Sequence, residues 1–376
     1  MKTILLKENL RDGLIIVERA VSKSLSLPIL GNILLSTKKN FFELSATDLE
    51  IGVRYQILSK NEEEGQVVVP ARILSQLSGL LPQPSVELKT TNEHLAVQSG
   101  DYSAIVKTLS AEDFPLIPTN EKDSMGIEVN ASLLSQGLQQ VAGFTGQSQT
   151  HSEITGVYFC FEGGALKIAA TDSFRLGEKT LSPIKTVSAK TSFILPAKTA
   201  RELIAIFSER EGMLRVHASS TQAIFDYEIR DDPTQPRIQV VSRLLEGEYP
   251  HYQEIVPKEY KTKAVFDKAA FINQVRAASI FTGRTSEVRL NFRPSSREVE
   301  VFSQNTDIGE HASKMHPEIE GEELSVAFNW KFLLDGLTVM KSREFEMRLS
   351  GEDSPAVLVP VEPEGYFYVV MPIKAI

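Results

Sequence analysis

The sequence predicts an α+β fold built from three tandem copies of one small domain, and two recurring markers carry that expectation. The run Leu44-Ser45-Ala46-Thr47-Asp48 returns as Ile168-Ala169-Ala170-Thr171-Asp172 and, weaker, as Ser303-Gln304-Asn305-Thr306-Asp307. The threonine recurs after 124 and then 135 positions. Val67-Val68-Val69-Pro70-Ala71-Arg72 returns 126 positions later as Phe193-Ile194-Leu195-Pro196-Ala197-Lys198. A third copy, Val326-Ala327-Phe328-Asn329-Trp330-Lys331, follows after another 133. A period of about 125 residues is too long for a solenoid unit and fits a whole domain. The expected domains are 1–122, 127–254 and 255–376.

Each repeat opens with a short strand and an amphipathic helix. Thr3–Leu6 precedes a helix over Asn9–Val21, with Leu10, Leu14, Val17 and Val21 on one face at helical spacing. Ile127–Val129 precedes a helix with Leu134, Leu138 and Val141, and Ala264–Phe266 one with Phe271, Val275 and Ala278. Three strands follow in each repeat. They are Asn32–Ser36, Phe41–Ser45 and Ile51–Ile57, then Gly156–Phe161, Leu166–Ala169 and Arg175–Thr180, then Val288–Phe292, Glu298–Phe302 and Gly309–Ser313. A second helix starts at the proline marker over Ala71–Leu81 and Ala197–Phe207, and proline suits a helix entry. The third, Asn329–Met340, starts on a good N-cap. Three more strands close each unit, giving β-α-βββ-α-βββ in mostly antiparallel sheet. Proline and charge mark the linkers Asp113–Ser124 and Tyr249–Lys261.

The chain has 376 residues, 42% hydrophobic and 24% charged, ordinary values for a globular protein of two or three domains. No apolar run is long enough to span a membrane, and Met1–Leu6 is too short for a signal peptide. A single cysteine, Cys160, forbids an intramolecular disulfide and points to a reducing, cytoplasmic setting. Its neighbours Val157, Phe159 and Phe161 predict a buried strand position. The net charge of −9 speaks against a generic nucleic-acid binder but not against one with a single basic face.

Three recurring carboxylates, Asp48, Asp172 and Asp307, could do acid–base or metal chemistry. Each sits in its own repeat, a domain width from the others, so the favoured role is to cap backbone amides at a strand end. An enzyme using them is the competing alternative. The histidines His94, His151, His217, His251, His311 and His316 lack the paired helical spacing of a zinc site, and no phosphate loop or nucleophile elbow is present. Neither catalysis, metal nor cofactor is expected. Basic residues recur on equivalent helices: Lys7, Arg11, Arg19 and Lys23, then Arg72, then Lys198 and Arg201, then Arg276 with Arg284 beyond it, and Lys331. Acidic runs lie elsewhere, at Glu62–Glu64, Asp231-Asp232 and Glu318–Glu323. The pattern points to one shared basic surface, with an acidic peptide-binding scaffold as the other alternative.

Several segments resemble the bacterial sliding clamps, the beta subunit of DNA polymerase III. They are Leu27-Pro28-Ile29-Leu30-Gly31-Asn32, Ala46-Thr47-Asp48-Leu49-Glu50, Asp113-Phe114-Pro115, Ala170-Thr171-Asp172-Ser173-Phe174-Arg175-Leu176, Glu248-Tyr249-Pro250 and Tyr368-Val369-Val370-Met371-Pro372-Ile373. They span the chain in order. The resemblance implies a head-to-tail homodimeric ring of six domains, helices lining the hole. Two helices per repeat, each about 10 Å wide, give one chain about 60 Å of inner circumference and two chains about 120 Å. Only the larger circle admits duplex DNA, if every helix faces inward.

The resemblance implies Lys7, Arg11, Lys23, Arg72, Lys198, Arg201, Arg276 and Lys331 as DNA-facing residues, making sequence-independent backbone contacts that permit sliding. It implies a partner-peptide groove at Ile154, Thr171, Phe174, Arg175, Leu176, Pro250, Ile255, Asn329, Phe332, Val369, Val370, Met371, Pro372 and Ile373. It places Ala104 and Val106 against Ile280 and Phe281 of the second copy. The partners it implies are double-stranded DNA, a second copy, the DNA polymerase III alpha subunit, the clamp-loader complex, and other polymerases and repair proteins carrying clamp-binding peptides. The chain departs from the family at Ser152 and Glu153, where some relatives carry aromatic residues, at Glu254, often basic, and in the tail Lys374-Ala375-Ile376.

Overall fold

Leu10, Leu14 and Val17 are fully buried, and their shared face seats the first helix, Lys7–Val17. The structure is a computed structural model and describes residues 1–22, 27–119, 126–148, 150–184, 190–228 and 236–374. The first repeat comprises β1 (Lys2–Leu6), α1 (Lys7–Val17), β2 (Asn32–Lys38), β3 (Phe41–Thr47), β4 (Ile51–Leu58), β5 (Lys60–Glu63), β6 (Gly65–Pro70), α2 (Ala71–Leu80), β7 (Ser85–Thr91), β8 (His94–Ser99) and β9 (Tyr102–Lys107). The second comprises β10 (Ile127–Asn130), α3 (Ala131–Val141), β11 (Gly156–Glu162), β12 (Ala165–Thr171), β13 (Arg175–Leu181), β14 (Thr191–Pro196), α4 (Ala197–Phe207), β15 (Met213–Ala218), β16 (Gln222–Tyr227) and β17 (Arg237–Arg243). The third comprises β18 (Thr262–Asp267), α5 (Lys268–Ser279), β19 (Glu287–Arg293), β20 (Glu298–Asn305), β21 (Gly309–Met315), β22 (Glu318–Gly321), β23 (Leu324–Asn329), α6 (Trp330–Thr338), β24 (Glu344–Leu349), β25 (Ala356–Pro360) and β26 (Tyr366–Val370).

The described residues hold four or five strands between the two helices of each repeat, where three were expected. The additional β6, β14 and β23 are the proline-marker segments. Their apolar runs pair with the first strand of the set (Asn32 opposite Pro70, Gly156 opposite Pro196, Glu287 opposite Asn329) and pass directly into a helix. The acidic runs supply β5 and β22, whose side chains are mostly exposed, so no apolar alternation announced them. Their charge suits edge strands, which must not recruit other chains. Helix α1 stops at Val17, and a single 3₁₀ turn carries the chain over Glu18–Ala20. Cys160 is buried in β11, as its neighbours imply.

The strand register also corrects the alignment of the third repeat. Leu290 faces Val301 as Phe159 faces Ile168, which puts Asn305, not Asp307, at the position of Asp172. Asn305 lies 133 positions after Asp172, the spacing of the second marker. Its Oδ1 accepts the Asp307 amide at 2.9 Å.

The chain forms two compact units. The first consists chiefly of Met1–Ser135 and Glu202–Leu244, the second chiefly of Gln136–Pro183 and Leu245–Ile376. Unit 1 contains an antiparallel sheet in the order β5-β1-β7-β8-β9 and another in the order β10-β15-β16-β17-β4-β3-β2-β6. Unit 2 contains the nine-stranded β14-β11-β12-β13-β26-β25-β24-β18-β22 and the four-stranded β21-β20-β19-β23. The second repeat is thus divided. Its closing strands continue the first repeat's sheet at β17–β4, with Val240 opposite Val53. Its opening strands continue the third repeat's sheet at β13–β26, with Leu176 opposite Val369. In this scheme β9 corresponds to β17 and β26, and β21 to β4 and β13. Among the described residues, β9 and β21 each end their sheets.

One histidine ties unit 1 to pH. His217 is packed under Gly126, with Nε2 3.6 Å from Asp226. Burial pushes its pKa below the ordinary value and Arg215 adds to this, against a smaller upward pull from Asp226. The unfolded chain therefore binds the proton first as pH falls. Stability from this site is fully present above the ordinary histidine pKa of about 6.5 and declines as pH drops below it. His217→Gln is expected to flatten the acid arm of a plot of melting temperature against pH, while leaving the neutral region nearly level.

Candidate functional site

The Thr-Asp motif builds a corner. Thr171 Oγ1 donates to the Arg175 carbonyl at 2.7 Å and accepts the Ser173 amide at 3.1 Å. Asp172 Oδ1 accepts the amides of Phe174 and Arg175, both at 3.0 Å. Thr47 and Asp48 repeat these bonds in unit 1. The carboxylates therefore cap backbone, as a polar residue at a strand end does. Ser173 takes a φ of 75° at the corner. Phe174, next in line, is 61% exposed.

In unit 2 the corner also places a cation. Asp172 Oδ2 accepts from Arg175 Nε at 2.9 Å, and Asp335 on α6 takes the other arm of the guanidinium. The Arg175 guanidinium lies 4.7 Å from the Phe332 ring centre and 5.4 Å from that of Phe144. Burial opposes its charge, but Tyr368, Asp172 and Asp335 outweigh burial and hold its pKa above the ordinary value. Phe174 stacks on Phe332 with centroids 6.2 Å apart. A charged, planar group locked between two carboxylates and two rings is a rigid wall.

Strands β13 and β26 lie beside this corner. Leu176 and Val369 are opposite each other and buried, as is Val370. Met371 donates its amide to the Phe174 carbonyl at 2.8 Å, and Ile373 to Ala327 at 2.7 Å, with Pro372 buried between. These bonds fix the terminal segment against both the corner and β23. Pro250 and Ile255 lie on the linker, Ile255 half-exposed. Asn329 caps α6 by accepting the Lys331 amide at 3.0 Å, one turn before Phe332. Ile154 is buried in the short turn Ser152–Thr155 before β11.

Unit 1 repeats the corner and the bond beside it with other side chains. The Arg243 amide donates to Glu50 at 2.9 Å, matching the Met371 bond. There Ile51 stands for Arg175 and Glu50 for Phe174. Ile51 is buried. The corner is generic, and the aromatic and guanidinium wall belongs to unit 2.

Of the basic residues, Arg11, Arg72, Lys198, Arg201, Arg276 and Lys331 are exposed on their helices. Lys7 differs: its ammonium caps the end of α2 through the Leu81 carbonyl at 3.0 Å, as Lys268 does at Met340. Its charge serves a helix C-terminus, where a cation is favourable. Arg19 pairs with Glu202 at 3.2 Å. Lys23 lies outside the described residues. On β9, Ala104 is half-buried, Val106 is buried and Ile105 between them is 73% exposed. Ile280 is 67% exposed, and Phe281 stacks on His311 of β21 at 5.9 Å. Among the described residues no cluster of His, Cys, Asp or Glu could hold a metal ion.

Asp335 and Phe144 carry no motif that marks them in the sequence. Asp335 sits one turn after Phe332 on α6, a spacing that would have found it once Phe332 was chosen.

Three repeats, each with two helices backed by antiparallel sheets that run from one repeat into the next, define the DNA-clamp class of protein. The chain belongs to the DNA polymerase III beta subunit family. It matches the N-terminal domain of that family at 1–118, the central domain at 128–251 and the C-terminal domain at 253–374. It is 28% identical to the beta sliding clamp of Synechococcus elongatus, with 100% of this chain and 99% of that one covered. Among solved structures it resembles the DNA polymerase sliding clamp of Bacillus subtilis (25% identity, TM-score 0.92) and the DNA polymerase III beta subunit of Thermotoga maritima (26%, 0.89). Both alignments cover the whole of each chain. The function of this chain is that of the family, a processivity factor for DNA polymerase III.

Proposed function

We propose that two copies of this chain close head to tail into a ring around duplex DNA, each contributing domains at 1–122, 127–254 and 255–376. The carrying observation is the sheet junction made at β17–β4 and β13–β26 and, among the described residues, left open at β9 and β21. A second copy completes the series. By equivalence with Val241 opposite Gly52, Ile105 pairs with the partner's Glu310, and the Lys107 amide donates to the partner's Ile308 carbonyl, as Arg243 does to Glu50. Ala104, Val106, Ile280 and Phe281 flank that seam.

In this reading the ring acts as a tether, not as a catalyst. Arg11, Arg72, Lys198, Arg201, Arg276 and Lys331 touch phosphates without reading bases, so the ring slides. The acidic remainder of a −9 chain disfavours DNA elsewhere. The unit 2 groove takes short apolar peptides from the polymerase alpha subunit, the clamp loader and other polymerases or repair factors. A conservative Asp172→Asn change should weaken the Arg175 clamp only modestly, since the amide oxygen can still cap the turn.

Topology gives the test. After loading at moderate salt, the protein should persist on circular duplex DNA and leave within moments of linearisation, followed by gel filtration of labelled protein with the DNA. Equal loss from circles and linear molecules would mean ordinary surface binding and would end the ring proposal.

A further inference from the structure

The linker between β17 and β18 packs against the nine-stranded sheet through an aromatic cluster. Tyr249 and Tyr252 are buried there with Leu176, Val369 and Val357. Tyr158 stacks on Tyr249 at 4.8 Å, and Tyr252 meets both rings edge-on. Beneath them Glu178 of β13 is only 6% exposed. The Tyr252 hydroxyl donates to its Oε2 at 2.5 Å, the length of a charge-assisted O–H···O bond. Thr180 Oγ1 is a weaker contact at 3.4 Å.

The same position is used in unit 1 with the charge reversed. Arg54 precedes Glu178 by 124 positions, the spacing of the Thr-Asp corners, and Ile117 precedes Tyr252 by 135, the spacing of Pro115 and Pro250. Arg54 donates to the Ile117 carbonyl, to Pro118 at 2.9 Å and to Gln239. Ile117 also packs on Gly52, the counterpart of Leu176. In each unit a charged strand residue, buried or half-buried, thus ties down the equivalent linker residue. One uses an arginine against backbone, the other a carboxylate against a tyrosine hydroxyl. Recurrence with different chemistry marks a built latch rather than an incidental contact.

In unit 2 the latched segment carries Pro250 and Ile255, which flank Tyr252 in sequence, and Glu178 lies three residues along β13 from Arg175. We propose that Glu178 and Tyr252 are positioning residues for the groove: their bond pins the linker to the sheet and fixes the wall that meets a bound peptide. This rests on the groove reading above. Tyr252→Phe keeps the ring packing and removes only the hydroxyl, leaving a buried carboxylate short of its donor.

The test measures fluorescence polarisation of a short fluorescein-labelled peptide carrying one leucine and one phenylalanine as apolar anchors. Hydrogen exchange of the linkers and melting temperature are followed in parallel. Tyr252→Phe should weaken peptide binding about tenfold and speed exchange across 249–256. Glu178→Gln, whose amide oxygen still accepts the hydroxyl, should stay within about twofold of the parent. Arg54→Met should loosen 115–119 and lower the melting temperature while leaving peptide affinity unchanged, which separates positioning from stability. If the parent binds, Phe332→Ala abolishes binding and Tyr252→Phe does not weaken it, the latch has no positioning role. If the parent fails to bind, or Phe332→Ala has no effect, the groove reading falls and the latch proposal falls with it.

Discussion

Ile105→Asp is expected to convert the dimer to monomer at micromolar concentration, as read by sedimentation velocity, without unfolding the chain. The side chain is 73% exposed in the isolated chain, so the monomer does not need it. At the proposed seam it is covered, and Ile280 and Ile308, 67% and 59% exposed, are large apolar groups at the β21 end. Losing that burial costs about 2 kcal/mol per seam, and an unsatisfied carboxylate adds about 2 more. A closed ring of two copies has two seams, so the penalty doubles to about 8 kcal/mol, on the order of a millionfold in the dissociation constant. The register sharpens the test. Ile105 would face the partner's Glu310, and like charges directly opposite repel across strands. Ile105→Lys should therefore dissociate the ring less than Ile105→Asp does. Equal effects, or a dimer that survives both, would refute the inferred register.

The seam also shows what sequence could and could not tell. Residues at helical spacing named the buried faces of the helices, because an amphipathic period survives without any knowledge of neighbours. Choosing between Ala104, Ile105 and Val106 needs the phase of one short strand, and a shift of one residue exchanges inside for outside. The Thr-Asp corners at Asp48 and Asp172 were readable as caps from chemistry alone. The third was matched to Asp307 by identity, whereas the register assigns its role to Asn305, an equally good cap with a different name. The strands Lys60–Glu63 and Glu318–Gly321 are held by backbone pairing and show water mostly charged side chains, so their composition resembles loop. Partners distant in sequence, such as Asp335 for Arg175 and Glu178 for Tyr252, leave no local signal.

Gly336→Val is expected to destabilise unit 2 by about 3 kcal/mol or more and to abolish peptide binding with it. A Cβ at this position would sit 2.3 Å from Tyr368 Cδ1 and 2.5 Å from Cγ and Cε1. The ring cannot yield. Tyr368 is fully buried, its hydroxyl donates to the Phe332 carbonyl at 2.8 Å, and the neighbouring Tyr366 hydroxyl donates to Gly336 itself at 3.2 Å. Helix α6 must therefore lift from β26, and it carries Phe332 and Asp335, the two groups that hold Arg175. Even alanine should destabilise, although it is the better helix former by about 1 kcal/mol. Gly79 of α2 provides the contrast, because nothing lies within 4 Å of a Cβ there. Gly79→Ala should raise the melting temperature by the helix-propensity gain alone, leaving groove affinity unchanged. Opposite signs at two helical glycines would show that close approach to Tyr368 fixes glycine at 336. Stabilisation by Gly336→Ala would mean that α6 can shift, and that the groove wall is softer than its buried hydrogen bonds imply.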